Sequence, residues 1–118
     1  MSRRLERVAG QLREEIARVL REQVTDPRVQ LVTVTQVSVS PDLRNATVFW
    51  SRMETDASPA LELVAAGLAS ASPFVRQRLA RALPLKRMPA LHFRFDPSLE
   101  LGDRTLRALR SLHDETSG

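Results

Sequence analysis

The first part of the chain carries apolar residues with the period of an α-helix. Between residues 3 and 24 they recur every three or four positions and form a single stripe, made of Leu5, Val8, Ala9, Leu12, Ile16, Val19 and Leu20. Such a stripe is typical of a helix that packs one face against a core. We expect Asp26-Pro27 to end this helix, because the residue before a proline is disfavoured in the α region.

Three later stretches have the apolar–polar alternation of β-strands. Leu31–Ser40 and Ala46–Ser51 flank the turn-forming sequence SPDLRN and predict an antiparallel pair. The valines of the first stretch change phase, which predicts a β-bulge near Thr35–Gln36. Leu91–Phe95 predicts a third strand. Trp50, the only tryptophan, is expected to pack in the core or on the sheet rather than to serve as a base-stacking platform.

The segment between the second and third strands predicts two consecutive helices. Ser58-Pro59 combines a good N-cap with a proline suited to the first helical position, and an apolar stripe follows it. Ser72-Pro73 repeats this start signal, and a proline is disfavoured inside a helix. We therefore expect the first helix to end near Ala71 and a new one to begin, so that the pair meets at a kink.

The remaining pattern completes a single domain. A last helix is predicted after Asp96-Pro97-Ser98, with apolar positions Leu106, Leu109 and Leu112. The predicted fold is α+β with the order α-β-β-α-α-β-α, in which helices pack on a three-stranded mixed sheet. This domain covers residues 1–113, and residues 114–118 are expected to fray as a C-terminal tail.

Composition argues against several kinds of site. The chain has no cysteine, and its two histidines, His92 and His113, match no metal-ligand spacing. Asp96 and Asp103 could be nominated as catalytic carboxylates, but Asp96 is better explained as a helix cap. No apolar run approaches the roughly 18 residues of a membrane span, and the N-terminus lacks a secretory signal. We expect a cytoplasmic protein that is not an enzyme and needs no metal or cofactor.

Positive charge is concentrated in one stretch of the chain. The net charge is +4, and seventeen of the eighteen basic residues are arginine, whose planar guanidinium suits phosphate. Between Glu62 and Asp96 there is no carboxylate, although six basic residues occur there. Arg78 and Arg81 should point away from the core, with Arg76 at its edge. A helix that begins at Pro73 would add free backbone amides and a positive dipole end.

These features define a candidate RNA-binding surface. Its predicted members are Ser72, Arg76, Arg78, Arg81, Lys86 and Arg87. A corner between two helices with a solvated basic side is the plainer explanation, and the charge pattern alone leaves both open.

Local sequences resemble one family of bacterial proteins. The predicted order, with two helices meeting at a joint, is similar to a type II KH domain. The stretches TDPR (Thr25–Arg28), SVSPDLRNATVFW (Ser38–Trp50) and RMPALHFRFDPSLELGDR (Arg87–Arg104) resemble ribosome-binding factor A. The resemblance covers roughly residues 4–113, and the motifs are specific through their order and spacing rather than singly.

This resemblance implies a non-enzymatic assembly factor. Such a factor would bind the small ribosomal subunit during late maturation, contact ribosomal RNA where its ends are processed, and matter for growth in the cold. The family also implies a ribosome-maturation GTPase as a possible partner, and we expect the protein itself to be a monomer that does not bind membranes.

One position departs from the family pattern. The family's Ala-x-Gly kink corresponds to Ala71, Ser72 and Pro73, so proline replaces glycine. A proline keeps the tendency to break a helix but removes one backbone amide. Two alternatives remain: a KH-like RNA-binding or ribosomal protein outside this family, and a module that binds acidic proteins.

Overall fold

The computed structural model of the protein describes residues 2–52 and 58–97. In order, its elements are helix α1 (Arg3–Glu22), a 3-10 helix (Pro27–Val29), strands β1 (Val32–Val39) and β2 (Asn45–Arg52), helix α2 (Leu61–Ala82) and strand β3 (Ala90–Phe95). This is an α+β fold, as predicted. The predicted last helix and the tail from residue 114 lie outside the described residues.

The three strands form the predicted mixed sheet, with β2 in the middle. β1 pairs with β2 antiparallel, and β2 pairs with β3 parallel. The register shifts between Val34 and Gln36, so the predicted bulge is confirmed. The extra residue lets Val34 face Trp50 and Val37 face Val48, so that valines of both phases lie on one side of the sheet.

The core lies between that side of the sheet and the two helices. Its fully buried aliphatic side chains come from α1, the 3-10 helix, β2 and α2, namely Leu12, Ile16, Val19, Val29, Val48, Val64, Leu68, Val75 and Leu79. Trp50 is only 2% exposed, and its ring centroid lies 5.0 Å from that of Phe95. The predicted apolar stripe of α1 and the core position of Trp50 are confirmed.

Helix α2 runs without interruption through the predicted joint. It covers Leu61–Ala82 with Pro73 inside it, so the prediction of a second helix that starts at Ser72-Pro73 is wrong. Proline costs roughly 3 kcal/mol in a helix interior, because its ring crowds the preceding turn and it cannot bond to the carbonyl four residues earlier. Here that carbonyl belongs to Ala69, and both Ala69 and Pro73 are exposed, so water can satisfy it.

Packing explains why the helix continues. Val64, Leu68, Val75 and Leu79 are all buried, and their spacings of four, seven and four residues place them on one face of a single helix. Burying an aliphatic side chain contributes roughly 1.5–3 kcal/mol, so Val75 and Leu79 together offset the cost of the proline. The local signal at Pro73 is therefore outweighed by burial on both sides of it.

Two predicted helix boundaries are also displaced. α2 begins at Leu61 with Ala60 as its N-cap, so the predicted start at Ser58-Pro59 is wrong by two residues. α1 ends at Glu22, and Asp26 instead caps the 3-10 helix by accepting a hydrogen bond from the amide of Arg28 (2.9 Å). No helix among the described residues is long and apolar enough to cross a lipid bilayer.

The 3-10 helix packs closely against α2. The Arg28 guanidinium pairs with the Asp26 carboxylate at 2.6 Å, and this hydrogen-bonded pair keeps the pKa of Asp26 below its ordinary value. A Cβ placed on Gly67 of α2 would come within 3.0 Å of Val29 Cγ1 and 3.1 Å of Arg28 Cβ. Glycine at 67 therefore allows α2 to approach the 3-10 helix closely.

Candidate nucleic-acid interface

The candidate surface is built on the second half of α2 and the loop that follows it. Burial of Val75 and Leu79 fixes the rotation of α2, which leaves Arg76 and Arg81 exposed. Pro84 follows the end of the helix, and Lys86 and Arg87 are exposed in the loop before β3.

The predicted residues fall into two groups on different sides of α2. Side chains four apart share a face of a helix, whereas those two apart point about 200° away from each other. Ser72 and Arg76 therefore lie on one side, and Arg78 with Arg81 lies towards the other. The structure does not bring the six residues together into the single corner that we predicted.

We define the first group as the Arg76 group, which consists of Ser72, Arg76, Lys86 and Arg87. Arg76 Nη2 donates a hydrogen bond to the carbonyl of Met88 at 3.2 Å and so ties the loop to the helix. Lys86 and Arg87 belong to that loop, and both are exposed. Ser72 is half-buried in the middle of α2, so its predicted role as a helix cap is wrong.

The second group, the Arg78 group, consists of Arg78, Arg81 and Phe74. The Arg78 guanidinium carbon lies 5.0 Å from the centroid of the Phe74 ring, a distance suited to cation–π attraction. Arg78 is half-buried, and its Nε is fully covered with no hydrogen-bond partner. The prediction that Arg78 points to solvent is therefore wrong for part of its side chain, whereas Arg81 is exposed as predicted.

A cleft lies beside the Arg78 group. It has a volume of about 250 Å³ and separates the residues that follow α1 from the middle of α2. Its walls are Gln23, Val24, Thr25, Asp26, Ser70, Ala71 and Phe74. Ala71 of the predicted kink is thus part of a cleft wall inside a continuous helix. The only carboxylate in these walls is Asp26, whose charge is compensated by Arg28.

The cations of both groups lack carboxylate partners among the described residues. The ion pairs formed between described residues involve arginines of α1 or Arg28 and none of these cations. Because no acidic residue occurs between Glu62 and Asp96, the positive charge of this region is not neutralised locally. The arrangement can bind an anion through side chains at several points at once.

Backbone amides contribute less than we predicted. Because α2 is continuous, the amides just after Pro73 lie inside a helix and are used by its own hydrogen bonds. The predicted anion site at a helix N-terminus is therefore wrong. Phe74 is the residue that the sequence analysis missed, although its spacing of four from Arg78 could have suggested a ring beneath a guanidinium.

Comparison with known proteins identifies the family. Residues 4–109 match the family model described as ribosome-binding factor A. A ribosome-binding factor A from Syntrophobacter fumaroxidans is 40% identical over 111 residues, which cover 94% of this chain and 95% of that protein. One from Gemmatimonas aurantiaca is 44% identical over 114 residues, covering 96% of this chain and 77% of the relative.

Solved structures agree with this result. The crystal structure of ribosome-binding factor A from Thermus thermophilus matches with a TM-score of 0.66 and 26% identity, covering 76% of this chain and 93% of that one. A homology model of the Thermus thermophilus factor, fitted into a cryo-EM map of its complex with the 30S subunit, matches with a TM-score of 0.62 and 26% identity, covering 75% of this chain and 91% of that one. The chain belongs to the ribosome-binding factor A family.

Proposed function

We propose that the chain is a ribosome assembly factor that binds the small ribosomal subunit and its ribosomal RNA during late maturation. The partner class is supported by the Thermus thermophilus relative, a homology model of which has been fitted into a cryo-EM map of its complex with the 30S subunit. One observation assigns this binding to particular residues. The cations on α2 and on the loop that follows it have no carboxylate partner among the described residues.

In this proposal, the cations contact the phosphate backbone. Arg81, Lys86 and Arg87 are exposed, so each can reach a phosphate without rearrangement of the core. Each phosphate contact releases condensed counterions, which makes the affinity depend steeply on salt concentration. Arg78 is held over Phe74 and would present its guanidinium plane in a fixed orientation. Phosphate contacts position a protein on RNA, and they do not read its sequence.

The finer functional statements are part of the same proposal. We propose that the factor acts where ribosomal RNA ends are processed, that it supports growth in the cold by helping trapped RNA to refold, and that it works with a ribosome-maturation GTPase. We also propose a cytoplasmic monomer with a type II KH-like frame, whose helix, hairpin, helix and parallel third strand follow one another along the chain.

Charge reversal at two exposed positions tests the proposed surface. Arg81 and Arg87 come from the two groups, and Arg81→Glu with Arg87→Glu should weaken binding to 30S subunits by about tenfold or more, because two contacts become repulsive. Sedimentation with purified subunits at several salt concentrations measures this loss. Arg7→Glu with Arg13→Glu is the matched control, since both positions are exposed on α1 and the charge change is identical.

The outcomes separate this proposal from its alternatives. Equal losses for the two double variants would indicate a general effect of charge, and an unchanged affinity of the Arg81 and Arg87 variant would show that the surface is wrongly placed. An assembly factor should also be enriched on immature small subunits and scarce on translating ribosomes. A ribosomal protein would be found on both.

A further inference from the structure

The sheet has a second face that does not take part in the core. Side chains alternate across a strand, so the residues between the core positions of β2 and β3 lie on the opposite side. In the described residues, α1 and α2 pack on the face of Val48 and Trp50. The opposite face carries Gln36, Ser38, Asn45, Thr47, Phe49, His92 and Arg94, which we call the open face. Ser51, the next residue of β2 on this side, is buried, so the open face ends before it.

Strand register arranges the open face in two rows. Gln36, Phe49 and Arg94 are paired across the three strands and form one row, and Ser38, Thr47 and His92 form the next. Neighbouring strands lie about 4.8 Å apart, and residues two apart on a strand are separated by about 6.6 Å. The Phe49 and His92 rings are therefore diagonal neighbours on adjacent strands.

Phe49 is unusual among the strand aromatics. Trp50 lies in the core, and Phe93 and Phe95 pack against it, whereas Phe49 is half-buried but is not part of that packing. An aromatic ring in the middle of a largely polar sheet face offers a flat apolar surface next to hydrogen-bonding groups. Such a surface is suited to a ligand that is itself flat and has polar edges.

His92 and Arg94 place a second ring and a cation on the same face. Both are exposed, and His92 Nε2 donates a hydrogen bond to Asn45 Oδ1 at 2.9 Å, which holds the imidazole beside β2. Neither row contains a carboxylate. Asp96 lies just past the end of β3, where the Thr35 hydroxyl donates to its Oδ2 at 2.9 Å. The charge of the two rows therefore favours an anionic ligand.

We propose that the open face binds a short single-stranded segment of RNA. Its bases stack on Phe49 and His92, its backbone phosphate lies against Arg94, and the amide and hydroxyl groups of the two rows meet base edges. Stacked rings together with a cation and without carboxylates are the combination by which proteins hold unpaired nucleotides. Paired bases in a duplex are already stacked and could not reach the rings.

This surface is separate from the α2 cations of the proposed function. The helices pack on the other side of the sheet, so a short RNA segment on the open face would not also contact the cations of α2. Among the described residues, the ring that lies beside a cation of α2 is Phe74, and these cations suit the phosphates of any RNA. The open face selects unpaired bases, which gives the protein a means to hold a segment that would otherwise pair.

Fluorescence anisotropy with labelled RNA tests the inference in the full chain. The probes are a uridine or adenosine strand of about 12 nucleotides, a length within the site sizes of single-strand binding folds, and a duplex of the same length. Phe49→Leu keeps an apolar side chain but removes the ring, and we expect it to weaken binding of the single strand by about five- to tenfold. Binding of the duplex should remain unchanged.

Matched variants keep the test decisive. Phe93→Leu makes the same change on the core side of the sheet and should leave single-strand binding unchanged while the protein is folded. His92→Ala and Arg94→Gln are exposed changes that leave the core intact, and each should weaken single-strand binding by about threefold or more. If Phe49→Leu unfolds the chain, these two variants carry the test.

The result that would overturn the inference is equal single-strand affinity in the wild type and the open-face variants. If the proposed function were wrong, a different result would show it, because Arg81→Glu with Arg87→Glu would then leave binding to 30S subunits unchanged. The two outcomes are independent.

Discussion

Helix α1 and the second half of α2 are both rich in arginine, but their arginines have different surroundings. α1 contains six arginines and four glutamates, and Arg18 pairs with Glu15 at 2.8 Å and with Glu22 at 3.2 Å. From Pro73 to Ala82, α2 contains three arginines and no acidic residue. In α1 part of the charge is used within the helix, whereas in α2 it remains available to a partner.

The glycines of the two helices also have different surroundings. Gly10 of α1 has no atom within 4 Å of where a Cβ would lie, whereas Gly67 of α2 faces Val29 and Arg28 at 3.0 and 3.1 Å. The glycine of α1 is free on the surface, and that of α2 fits against the 3-10 helix. α2 is thus fixed on its buried side, and its positive charge is left uncompensated on its exposed side, which suits the binding role that we propose for it.

The largest expected effect concerns the docking of α2. Gly67→Val should lower the free energy of unfolding by about 2–3 kcal/mol, because the added methyl groups must displace Val29 and the Arg28 stem. Gly10→Ala is the matched control and should raise it by up to about 1 kcal/mol through helix propensity. Urea unfolding followed by circular dichroism measures both. A harmless Gly67→Val would mean that α2 does not approach the 3-10 helix this closely.

The next prediction tests the continuity of α2. Pro73→Ala restores a backbone amide inside the helix and should raise the free energy of unfolding by about 1–2 kcal/mol, which is less than the full cost of proline because the unfolded chain also gains freedom. Urea unfolding gives the value. If the substitution destabilises the protein instead, a break at this position is required and the helix is not continuous in solution.

A single added carboxylate can give α2 the charge pattern of α1. Gln77 is exposed, and Gln77→Glu places an acid four residues before Arg81, where it can form an ion pair. We expect binding to 30S subunits to weaken about three- to tenfold, since Arg81 is then partly neutralised. Gln11→Glu makes the same change on the exposed side of α1 and should leave the affinity unchanged. Equal effects of the two substitutions would remove the distinction between the helices.

The smallest expected effect concerns acid stability. The Arg28 guanidinium lowers the pKa of Asp26 in the folded protein, so this carboxylate stabilises the fold above its ordinary pKa of about 4. That contribution is lost as the pH falls through the lowered pKa. Asp26→Asn should therefore lower the urea midpoint at pH 7, and the difference from wild type should shrink towards pH 3. A difference that is constant with pH would exclude this electrostatic role.

Much of the sheet could be predicted from the sequence. Alternation along a strand directly reports which side is buried, and a change of phase in a run of valines has few explanations other than the bulge at Thr35. Trp50 could be assigned to the core because it lies on the same side as Val48. These signals are local, and nothing elsewhere in the chain opposes them.

The helix boundaries and the site could be predicted only in part. Ser72-Pro73 has the local chemistry of a helix start, but burial of Val75 and Leu79 in phase with Leu68 decides the outcome, and that depends on the tertiary fold. The positive charge of the candidate site could be predicted from the stretch without acidic residues. The division of its residues into two groups could not be predicted, because that division depends on the rotation of a helix that we expected to begin anew at Pro73.

The salt dependence of 30S binding tests most directly whether the cations of α2 and its loop contact phosphate. Affinity should be measured across a range of salt concentrations for the wild type, the Arg81→Glu and Arg87→Glu variant, and the Arg7→Glu and Arg13→Glu variant. We predict that the slope of log affinity against log salt becomes shallower by about one per lost contact only in the first variant. A slope equal to that of the wild type would contradict this account.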